Sequence, residues 1–371
     1  MKQKVMFILG TRPEAIKMAP VIRSFKEAGH YETIVVATGQ HREMLAQVLN
    51  FFEIQPDVDM GLMVPNQTLP ELTAKALAGS SSLIVEHQPA IVLVQGDTST
   101  AFAGGLAAFL NKVPVAHIEA GLRSGRMDSP FPEEANRVLL SKITSLHLAP
   151  TRGAADNLNG EAIDQGVHVV GNTVVDALLQ GLEIIRSRGE ESYFEKFEMI
   201  DFEREVILIT IHRRESFGEP IKEICKAIRT IASRHMDKTL VYPVHPNPNV
   251  RNVVETELAG IDNLRLLNPL EYSDFIWMMS KSSLILTDSG GVQEEAPTLG
   301  IPVLVAREVT ERSEGVDAGA AVMVGSDADL IVRKADELLA LSVAERAGIV
   351  NPYGDGKTSS RILELVGQML S

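Results

Sequence analysis

Short apolar runs alternate with amphipathic segments along the first half of the chain. The apolar runs lie at 5–9, 33–37, 90–94, 114–118, 146–149 and 168–171. Apolar residues recur at helical spacing in the segments 15–26, 42–51, 100–110 and 173–186. Runs that are apolar on both faces and alternate with helices predict a parallel sheet covered by helices on both sides. The fold class is therefore predicted to be α/β and doubly wound.

The same alternation restarts in the second half. Between helical segments, apolar runs recur at 206–211, 239–244, 264–267, 284–287 and 303–306. A charged stretch at 189–204 is interpreted as a connector that contains a short helix. Because one sheet with all these strands would be unusually wide, we predict two Rossmann-like domains, at 1–171 and 172–356. A final helix at about 357–371 follows a turn-rich segment and is expected to cross back to the first domain.

The composition narrows the classes of protein. The chain has 371 residues, of which 45% are hydrophobic, so a substantial core is available and disorder is excluded as the main state. The formal net charge of −14 argues against nucleic acid as a partner, because an acidic surface repels phosphates. The one cysteine, Cys225, excludes an intramolecular disulfide and a cysteine-rich zinc site. No apolar stretch is long enough to span a bilayer, so we expect no membrane partner and a cytoplasmic location.

Three acidic side chains lie at the ends of predicted elements in the first half. Asp97 and Glu119 each come shortly after a predicted strand, and Glu133 opens a helix. Strand alternation predicts that Glu119 shares a face with His117. Ligands of open α/β sheets bind outside the carboxyl ends of the strands, so the three carboxylates can meet in one site suited to acid–base chemistry. The structural alternative is that Asp97 caps the next helix and that an acid complements the following helix N-terminus.

The loop after the first predicted strand reads Gly-Thr-Arg-Pro-Glu at 10–14. It matches neither a dinucleotide-binding fingerprint nor a Walker loop. Arg12 stands at a helix start, where the helix dipole disfavours a cation unless an anion is bound nearby. An ordinary turn with proline in the first helical turn explains the same residues equally well.

Polar clusters also follow the strands of the second half. His212 and Arg213 indicate an anion or acid–base site, with a solvated loop as the alternative, and His245 lies in a proline-rich loop that turn chemistry explains. The Ser-Gly-Gly turn at 289–291 joins a strand to a helix, where bare N–H groups and the helix dipole favour a phosphate. Glu295, one helical turn later, is in place to accept hydrogen bonds from ribose hydroxyls. The alternative is an ordinary tight turn. No metal-ligand motif and no nicotinamide fingerprint occur.

An ordered set of short motifs spans nearly the whole chain. They are Gly-Thr-Arg-Pro-Glu at 10–14, Gln-His-Arg at 40–42, Gly-Asp-Thr at 96–98, His-Ile-Glu-Ala-Gly-Leu-Arg at 117–123, Pro-Glu-Glu-Ala-Asn-Arg at 132–137, Gly-Asn-Thr at 171–173, His-Arg-Arg-Glu at 212–215, His-Pro-Asn-Pro at 245–248, Asp-Ser-Gly-Gly-Val-Gln-Glu-Glu-Ala-Pro at 288–297 and Thr-Glu-Arg at 310–312. Each motif is weak alone. In this order, the chain resembles the non-hydrolysing UDP-N-acetylglucosamine 2-epimerases of bacteria.

The resemblance implies an architecture and a reaction. The architecture is two Rossmann-like domains facing a cleft, as in the GT-B glycosyltransferases, and the assembly is a homodimer. The reaction is the reversible interconversion of UDP-N-acetylglucosamine and UDP-N-acetylmannosamine, without a cofactor, for bacterial surface polysaccharide synthesis. In that family UDP leaves C1 as the C2 proton is removed, and 2-acetamidoglucal forms. A proton then returns to the opposite face and UDP adds back, which requires a base, an acid and firm retention of UDP.

The motifs also imply residue roles. Catalytic roles fall on Asp97, Glu119, Glu133 and His212, the last beside the leaving diphosphate, and which carboxylate serves which face of the sugar stays open. Substrate binding is implied for Arg12, Lys17, Phe275, Ser289, Gly290, Gly291, Glu295 and Arg312. A second, activating substrate site is implied for Gln40, Glu134, Arg213 and His245. The chain departs from the family at Asn66, where some members have an arginine linked to regulation, and at Ser313, often a proline.

Three other functions stay open at this point. The first is a hydrolysing epimerase on the same fold, which releases UDP and free N-acetylmannosamine. The second is a GT-B glycosyltransferase, and the third is a non-catalytic sensor of nucleotide sugars. The three carboxylates of the first domain argue against the last two, because a transferase needs an acceptor groove there and a sensor needs no acids.

Overall fold

The structure is a computed structural model that describes residues 2–39, 42–64 and 66–371. Two compact units make up the chain. Unit 1 comprises Met1–Gln180 together with Tyr353–Ser371, and unit 2 comprises Gly181–Pro352. The domain limits expected from the sequence, 1–171 and 172–356, stay predictions.

Strands and helices alternate from the start of unit 1. The strands are β1 (Lys4–Leu9), β2 (Glu32–Ala37), β3 (Val58–Asp59), β4 (Ile91–Gln95), β5 (Val115–Ile118), β6 (Leu146–Ala149) and β7 (Val167–Val169). The helices are α1 (Arg12–Ala28), α2 (Arg42–Phe51), α3 (Leu69–His87), α4 (Ser99–Leu110), α5 (Glu133–Ser141), α6 (Arg152–Gly160) and α7 (Thr173–Arg188), within which the boundary between the units falls.

The strands of unit 1 form one parallel sheet in the order β3-β2-β1-β4-β5-β6-β7 within the described residues. The central strands β1 and β4 are buried on both faces, as their unbroken apolar runs require. Met6 and Val92 of these strands pack in one core cluster with Ala101 of α4 and Leu140 of α5. The sheet therefore forms the buried middle layer, and its loops carry the polar residues.

Unit 2 repeats the alternation. Its strands are β8 (Val206–Thr210), β9 (Thr239–Pro243), β10 (Leu264–Leu267), β11 (Ser282–Thr287), β12 (Val303–Val305) and β13 (Ala321–Met323). Its helices are α8 (Glu191–Lys196), α9 (Glu219–Arg234), α10 (Pro248–Glu257), α11 (Tyr272–Ser280), α12 (Gly290–Glu295), α13 (Ser313–Asp317), α14 (Ala328–Leu339) and α15 (Val343–Ala347). The last helix, α16 (Thr358–Leu370), belongs to unit 1.

The second sheet has the order β10-β9-β8-β11-β12-β13, and its described strand pairs are all parallel. In both sheets the chain order reverses beside the first strand of the unit. The reversal lies between β1 and β4 in unit 1 and between β8 and β11 in unit 2. Ligands of doubly wound sheets bind where the loops diverge at such a reversal, outside the carboxyl ends of the strands.

The predicted α/β class with two doubly wound parallel sheets is confirmed. The segment 189–204 contains α8, as expected. Sequence analysis did not predict α3, β3 or β13. The two edge strands are too short to show a period, but α3 begins with a capping box formed by Thr68 and Glu71, a signal readable in the sequence. None of the helices in the described ranges is long and apolar enough to cross a bilayer.

Candidate functional site

Glu14 connects the two loops at the reversal of the first sheet. Its Oε2 accepts a hydrogen bond from the N–H of Thr11 at 2.7 Å, while Thr11 caps α1. Its Oε1 accepts a hydrogen bond from the hydroxyl of Thr98 at 2.7 Å, on the loop after β4. Burial raises the pKa of Glu14, although the hydrogen bonds oppose this shift. The predicted Arg12, half-buried, is the first residue of α1, so this network positions the turn that carries it.

Asp97 lies on the loop between β4 and α4. The N-cap of α4 is Thr98, whose side chain accepts a hydrogen bond from the N–H of Ala101 at 3.0 Å, so the interpretation of Asp97 as a cap was wrong. Asp97 Oδ2 instead lies 3.2 Å from Nη2 of Arg137. Asn136 Nδ2 donates to the main-chain carbonyl of Asp97 at 2.8 Å. Two consecutive residues of α5 therefore hold the side chain and the backbone of Asp97.

Glu119 lies at the end of β5, beside the same loop. Its φ is +66° and the strand ends one residue earlier, so strand alternation does not set the direction of its side chain. Lys17 Nζ, from α1, is 2.5 Å from Glu119 Oε1, and Gln95 Nε2 donates to Oε2. A Cβ added to Gly96 would lie 3.9 Å from Oε2, which places this carboxylate next to the loop that carries Asp97. The structure thus brings Lys17 and Glu119 together as an ion pair.

His117 supports this loop from inside the sheet. It is fully buried on β5, and its Nε2 lies 2.7 Å from the carbonyl oxygen of Gly96, to which it donates. Burial lowers the pKa of His117 to about 3, so the imidazole is neutral at physiological pH. Gly96 has a φ of +71°, in the region that favours glycine. The hydrogen bond therefore fixes the backbone directly before Asp97, and His117 has a structural role.

Helix α5 begins with two glutamates in different surroundings. Glu134 is buried, and its two carboxylate oxygens accept hydrogen bonds from the N–H groups of Ser124, at 3.0 Å, and Gly125, at 3.1 Å. Arg137 Nε lies 3.2 Å from Glu134 Oε2. Glu133 is half-buried, and its carboxylate makes no ion pair among the described residues. The predicted allosteric residue Glu134 therefore fixes the neighbouring loop. Within the described ranges, the predicted catalytic Glu133 takes part in this network only through its main-chain carbonyl oxygen, which accepts a hydrogen bond from Arg137 Nε at 3.4 Å.

Asp288 organises the carboxyl edge of the second sheet. It is fully buried and directly follows β11. Its Oδ2 accepts hydrogen bonds from the N–H groups of His212, at 2.9 Å, and Arg213, at 2.8 Å, and from the Ser216 hydroxyl at 2.9 Å. These bonds join the loops after β8 and β11, on the two sides of the reversal. The sequence predicts Asp288 only as part of a motif, although an aspartate at the end of a buried strand must find such partners.

His212 and His245 lie side by side. Their ring centroids are 6.0 Å apart and the ring planes differ by 22°. His212 Nδ1 is 3.2 Å from Asp288 Oδ1, while His245 Nδ1 accepts a hydrogen bond from the N–H of Asn247 at 3.2 Å. Partial burial lowers the pKa of His212, although the carboxylate of Asp288 opposes this shift. A predicted catalytic histidine and a predicted allosteric histidine are therefore neighbours.

The Ser-Gly-Gly turn begins α12 without a side-chain cap. Ser289 is the N-cap, but its side chain makes no capping hydrogen bond, and its own N–H donates to Thr287 Oγ1 at 2.9 Å. Gly290 and Gly291 have no side chain that could cover the first N–H groups of the helix. The side chain of Glu295 bends back toward this turn, since a Cβ added to Gly291 would lie 3.8 Å from its Oε2.

Arg312 packs against the same turn. A Cβ added to Gly290 would lie 3.0 Å from the Cζ of Arg312. The guanidinium is fixed by two carboxylates, with Nε 3.0 Å from Glu294 Oε1 and Nη1 3.2 Å from Glu311 Oε2. The structure therefore combines Gly290 and Arg312, which the sequence predicts to bind substrate.

Two further arginines lie close to Arg312. Arg307 is buried and pairs with Glu215 at 2.5 Å and with Glu311 at 3.1 Å. Burial, with the positive charges of Arg307 and Arg312, lowers the pKa of Arg213. A group of guanidiniums beside a glycine-rich turn is chemically suited to an anion such as a diphosphate. Sequence analysis missed Arg307, which precedes the Thr-Glu-Arg motif.

Two predicted site residues remain, one in α11 and one that the structure does not describe. Phe275 is half-buried in the first turn of α11, which follows β10. Gln40 lies outside the described residues. Within the ranges that the structure describes, no group of three or more His, Cys, Asp or Glu side chains is arranged to hold a metal ion.

Two parallel α/β units, with carboxylates at the reversal of one sheet and a glycine–arginine turn at the reversal of the other, define a two-domain Rossmann-like protein. A family model described as UDP-N-acetylglucosamine 2-epimerase matches residues 23–367. The chain belongs to this family.

Known relatives match over nearly their whole length. A UDP-N-acetylglucosamine 2-epimerase of Escherichia coli K12 is 47% identical over 371 residues, covering 97% of each chain. A crystal structure of UDP-GlcNAc 2-epimerase from Neisseria meningitidis bound to UDP-GlcNAc has a TM-score of 0.87 and 45% identity, and covers 99% of this chain and 100% of that chain. An S. aureus protein named MnaA, solved with UDP, has a TM-score of 0.85 and 44% identity, and the match covers 99% of this chain and 97% of that chain.

Proposed function

We propose that the chain interconverts UDP-N-acetylglucosamine and UDP-N-acetylmannosamine by elimination and re-addition of UDP. The family and the relatives solved with UDP-GlcNAc or UDP support this substrate. The observation that carries the chemistry is the placement of Asp97 and Glu119 on neighbouring loops of the first sheet. Each carboxylate has a cationic partner, Arg137 and Lys17 respectively, that fixes one of its oxygens.

The chemistry requires an elimination because the proton at C2 of the sugar is not acidic. No carbonyl adjoins C2, so a base can remove the proton only as the bond between C1 and the UDP oxygen breaks. The electrons of the C2–H bond form the C1–C2 double bond of 2-acetamidoglucal, and the electrons of the broken bond leave with UDP. Protonation of C2 on the opposite face, with attack of UDP on C1, gives the epimer. Asp97, Glu119 and Glu133 are the acid and base candidates for these transfers.

The nucleotide is assigned to the glycine–arginine turn of unit 2. The N–H groups of Gly290 and Gly291 and the guanidinium of Arg312 complement a diphosphate, and Glu295 is in place for the ribose. Phe275 is assigned to the uracil, and Arg12 and Lys17 of unit 1 stay proposed substrate-binding residues. His212, whose Nδ1 lies 3.2 Å from Asp288 Oδ1, is assigned to the leaving diphosphate.

One experiment tests this function directly. The protein is incubated with UDP-N-acetylglucosamine in D2O and followed by proton NMR. We expect deuterium at C2 of both UDP-sugars and a minority of the mannosamine epimer at equilibrium. Stoichiometric formation of UDP and free N-acetylmannosamine would instead identify a hydrolysing enzyme. Absence of deuterium from C2 would rule out epimerisation by proton transfer.

A second substrate site near the first is also proposed, from Gln40, Glu134, Arg213 and His245. His245 lies beside His212, and Arg213 directly follows His212 in the chain. A ligand bound to His245 and Arg213 would therefore lie next to a proposed catalytic residue, which supports the second site. The reverse reaction from UDP-N-acetylmannosamine should show a lag that a trace of UDP-N-acetylglucosamine removes. Hyperbolic dependence of rate on substrate in both directions, without a lag in the progress curves, would mean that the second site is absent or silent.

The assembly and setting of the enzyme are proposed from its family alone. We infer a homodimer in the cytoplasm that supplies bacterial surface polysaccharide synthesis. Light scattering during size-exclusion chromatography measures the assembly, and a monomer mass at working concentration would contradict the dimer.

A further inference from the structure

Helix α5 holds Asp97 through two consecutive residues. Asn136 Nδ2 donates to the carbonyl oxygen of Asp97 at 2.8 Å, and Arg137 Nη2 lies 3.2 Å from its Oδ2. Asn136 is buried and Arg137 is largely buried. Both the backbone and one carboxylate oxygen of Asp97 are thus tied to the same helix that begins with Glu133.

Arg137 is itself held on its other edge. Its Nε lies 3.2 Å from Oε2 of Glu134, a buried carboxylate that also accepts hydrogen bonds from the N–H groups of Ser124 and Gly125. Arg137 therefore bridges two carboxylates with different nitrogens of its planar guanidinium. Arg137 Nε also donates to the main-chain carbonyl oxygen of Glu133 at 3.4 Å, so the guanidinium has anchors on α5 besides Asp97.

We propose that Arg137 is a positioning residue for the reaction, which fixes Oδ2 of Asp97 and holds this carboxylate in constant register with Glu133. The proposal rests on the proposed function, since it names a residue that serves one of its catalytic candidates. Arg137 acts through Asp97 and touches no reacting atom. With Oδ2 occupied, Oδ1 of Asp97 is the oxygen left to exchange a proton with the substrate. Small displacements of a proton-transfer group are costly, and about 1 Å can reduce the rate about 100-fold.

A double-mutant cycle tests this proposal. Arg137→Met keeps much of the volume but removes the bridge, and Asp97→Asn removes the proton acceptor. We expect Arg137→Met to lower kcat about 100-fold with KM changed less than about threefold, because positioning acts on the chemical step. The double variant should be within about threefold of Asp97→Asn alone, because a residue that acts only through Asp97 has nothing further to lose. Deuterium incorporation at C2, at high enzyme concentration, measures these slow rates.

Arg123→Met is the matched control. Arg123 is equally buried in unit 1, and it pairs with Glu161 through Nε at 2.6 Å and Nη2 at 3.1 Å. Glu161 has no proposed role, so any effect of Arg123→Met should multiply with that of Asp97→Asn. Arg137→Lys is the conservative variant, which keeps a charge near Asp97 but cannot span both carboxylates. It should recover part of the lost kcat, and it replaces Arg137→Met in the cycle if the latter does not fold.

The outcomes separate this proposal from the proposed function. UDP binding by calorimetry should be unchanged in Arg137→Met, since the nucleotide is assigned to unit 2. Multiplicative losses in the double variant, unchanged kcat, or a raised KM with unchanged kcat would each overturn the positioning role. A wild-type protein that places no deuterium at C2 would overturn the function instead.

Discussion

Glu119 combines a charged side chain with a backbone conformation that L-residues rarely adopt. Its φ is +66°, and its carboxylate is fixed by Lys17 and Gln95. Residues in such conformations persist where surrounding contacts over-determine them, and they cluster at functional sites. Here the unusual φ follows directly after β5 and places the carboxylate beside Gly96, so backbone strain and side-chain position have one cause.

Replacing each proposed acid or base with its amide should slow epimerisation while the fold is kept. Asp97→Asn, Glu119→Gln and Glu133→Gln each remove a proton acceptor at nearly constant shape. We expect each to lower kcat by about two to four orders of magnitude, the usual value of a positioned acid or base. Initial rates of C2 deuteration measure this loss, and calorimetry with UDP checks the fold. Near-normal rates in all three variants would place catalysis elsewhere.

The adjacent glycines Gly290 and Gly291 give a matched pair for the nucleotide turn. A Cβ at Gly290 would press on Arg312, which Glu294 and Glu311 fix, whereas a Cβ at Gly291 meets nothing closer than 3.8 Å. We expect Gly290→Ala to lower both the melting temperature and the affinity for UDP. Gly291→Ala should keep its melting temperature and still lose at least about tenfold in UDP affinity, the equivalent of about 1.4 kcal/mol. Native affinity for UDP in Gly291→Ala would remove the diphosphate from this turn.

At the residue level, the sequence predicts which side chains stand at strand ends but not which of them pair. Glu119 and Asp97 were predicted as site residues from their places after strands. Their ion pairs with Lys17 and Arg137 depend on how α1 and α5 pack on the sheet, and no local pattern encodes that packing. Asp288 was missed for the same reason, because its partners lie in a loop far away in the sequence.

At the level of elements, period and burial explain what was predicted. Strands such as β4 are continuous apolar runs because helices cover both of their faces, so the sequence identifies them clearly. Edge strand β3 pairs over only two residue pairs, and its formation depends on β2 rather than on its own composition. Helix α3 exposes much of its surface and contains several small polar residues, which obscure its helical period.

Buried histidines on two paired strands predict how stability depends on pH. His117 of β5 and His147 of β6 are register partners, and burial lowers their pKa values to about 3 and about 4. Both values lie below that of the unfolded chain, so the unfolded state binds more protons as the pH falls through about 6.5. Their contribution to stability is complete above that pH and is lost toward the folded pKa values. Between the two pKa values the slope approaches about 1.4 kcal/mol per pH unit for each histidine.

Calorimetric melting temperatures across this pH range check the expectation. His147→Gln removes one titrating group and should flatten the fall of melting temperature with acid. His30→Gln, at an exposed site after α1, is the control and should leave the fall unchanged. An unaltered acid dependence in His147→Gln would show that other groups govern it.

For the molecule as a whole, the two units repeat one plan with different chemistry. Both sheets reverse their strand order beside the first strand, and both present polar loops there. Unit 1 presents carboxylates with single cationic partners, and unit 2 presents guanidiniums beside a glycine turn. The shared plan was predictable from the repeated alternation of apolar runs. The different chemistry of the two units was predictable only in part, because it depends on side chains that the fold brings together.

Hydrogen exchange with two ligands tests, on the intact protein, whether the nucleotide binds unit 2 and the sugar reaches the acids of unit 1. UDP carries the groups assigned to unit 2, so it should protect amides most strongly in peptides covering 211–216, 289–295 and 307–312. UDP-N-acetylglucosamine adds the sugar, and it should extend protection to peptides covering 96–98, 117–121 and 132–137, where the proposed acids lie. At a concentration about 100 times its Kd, either ligand stabilises the protein by about 2.7 kcal/mol, enough to raise the melting temperature measurably. Protection by UDP confined to the unit 1 peptides would contradict the assignment of the nucleotide to the glycine–arginine turn.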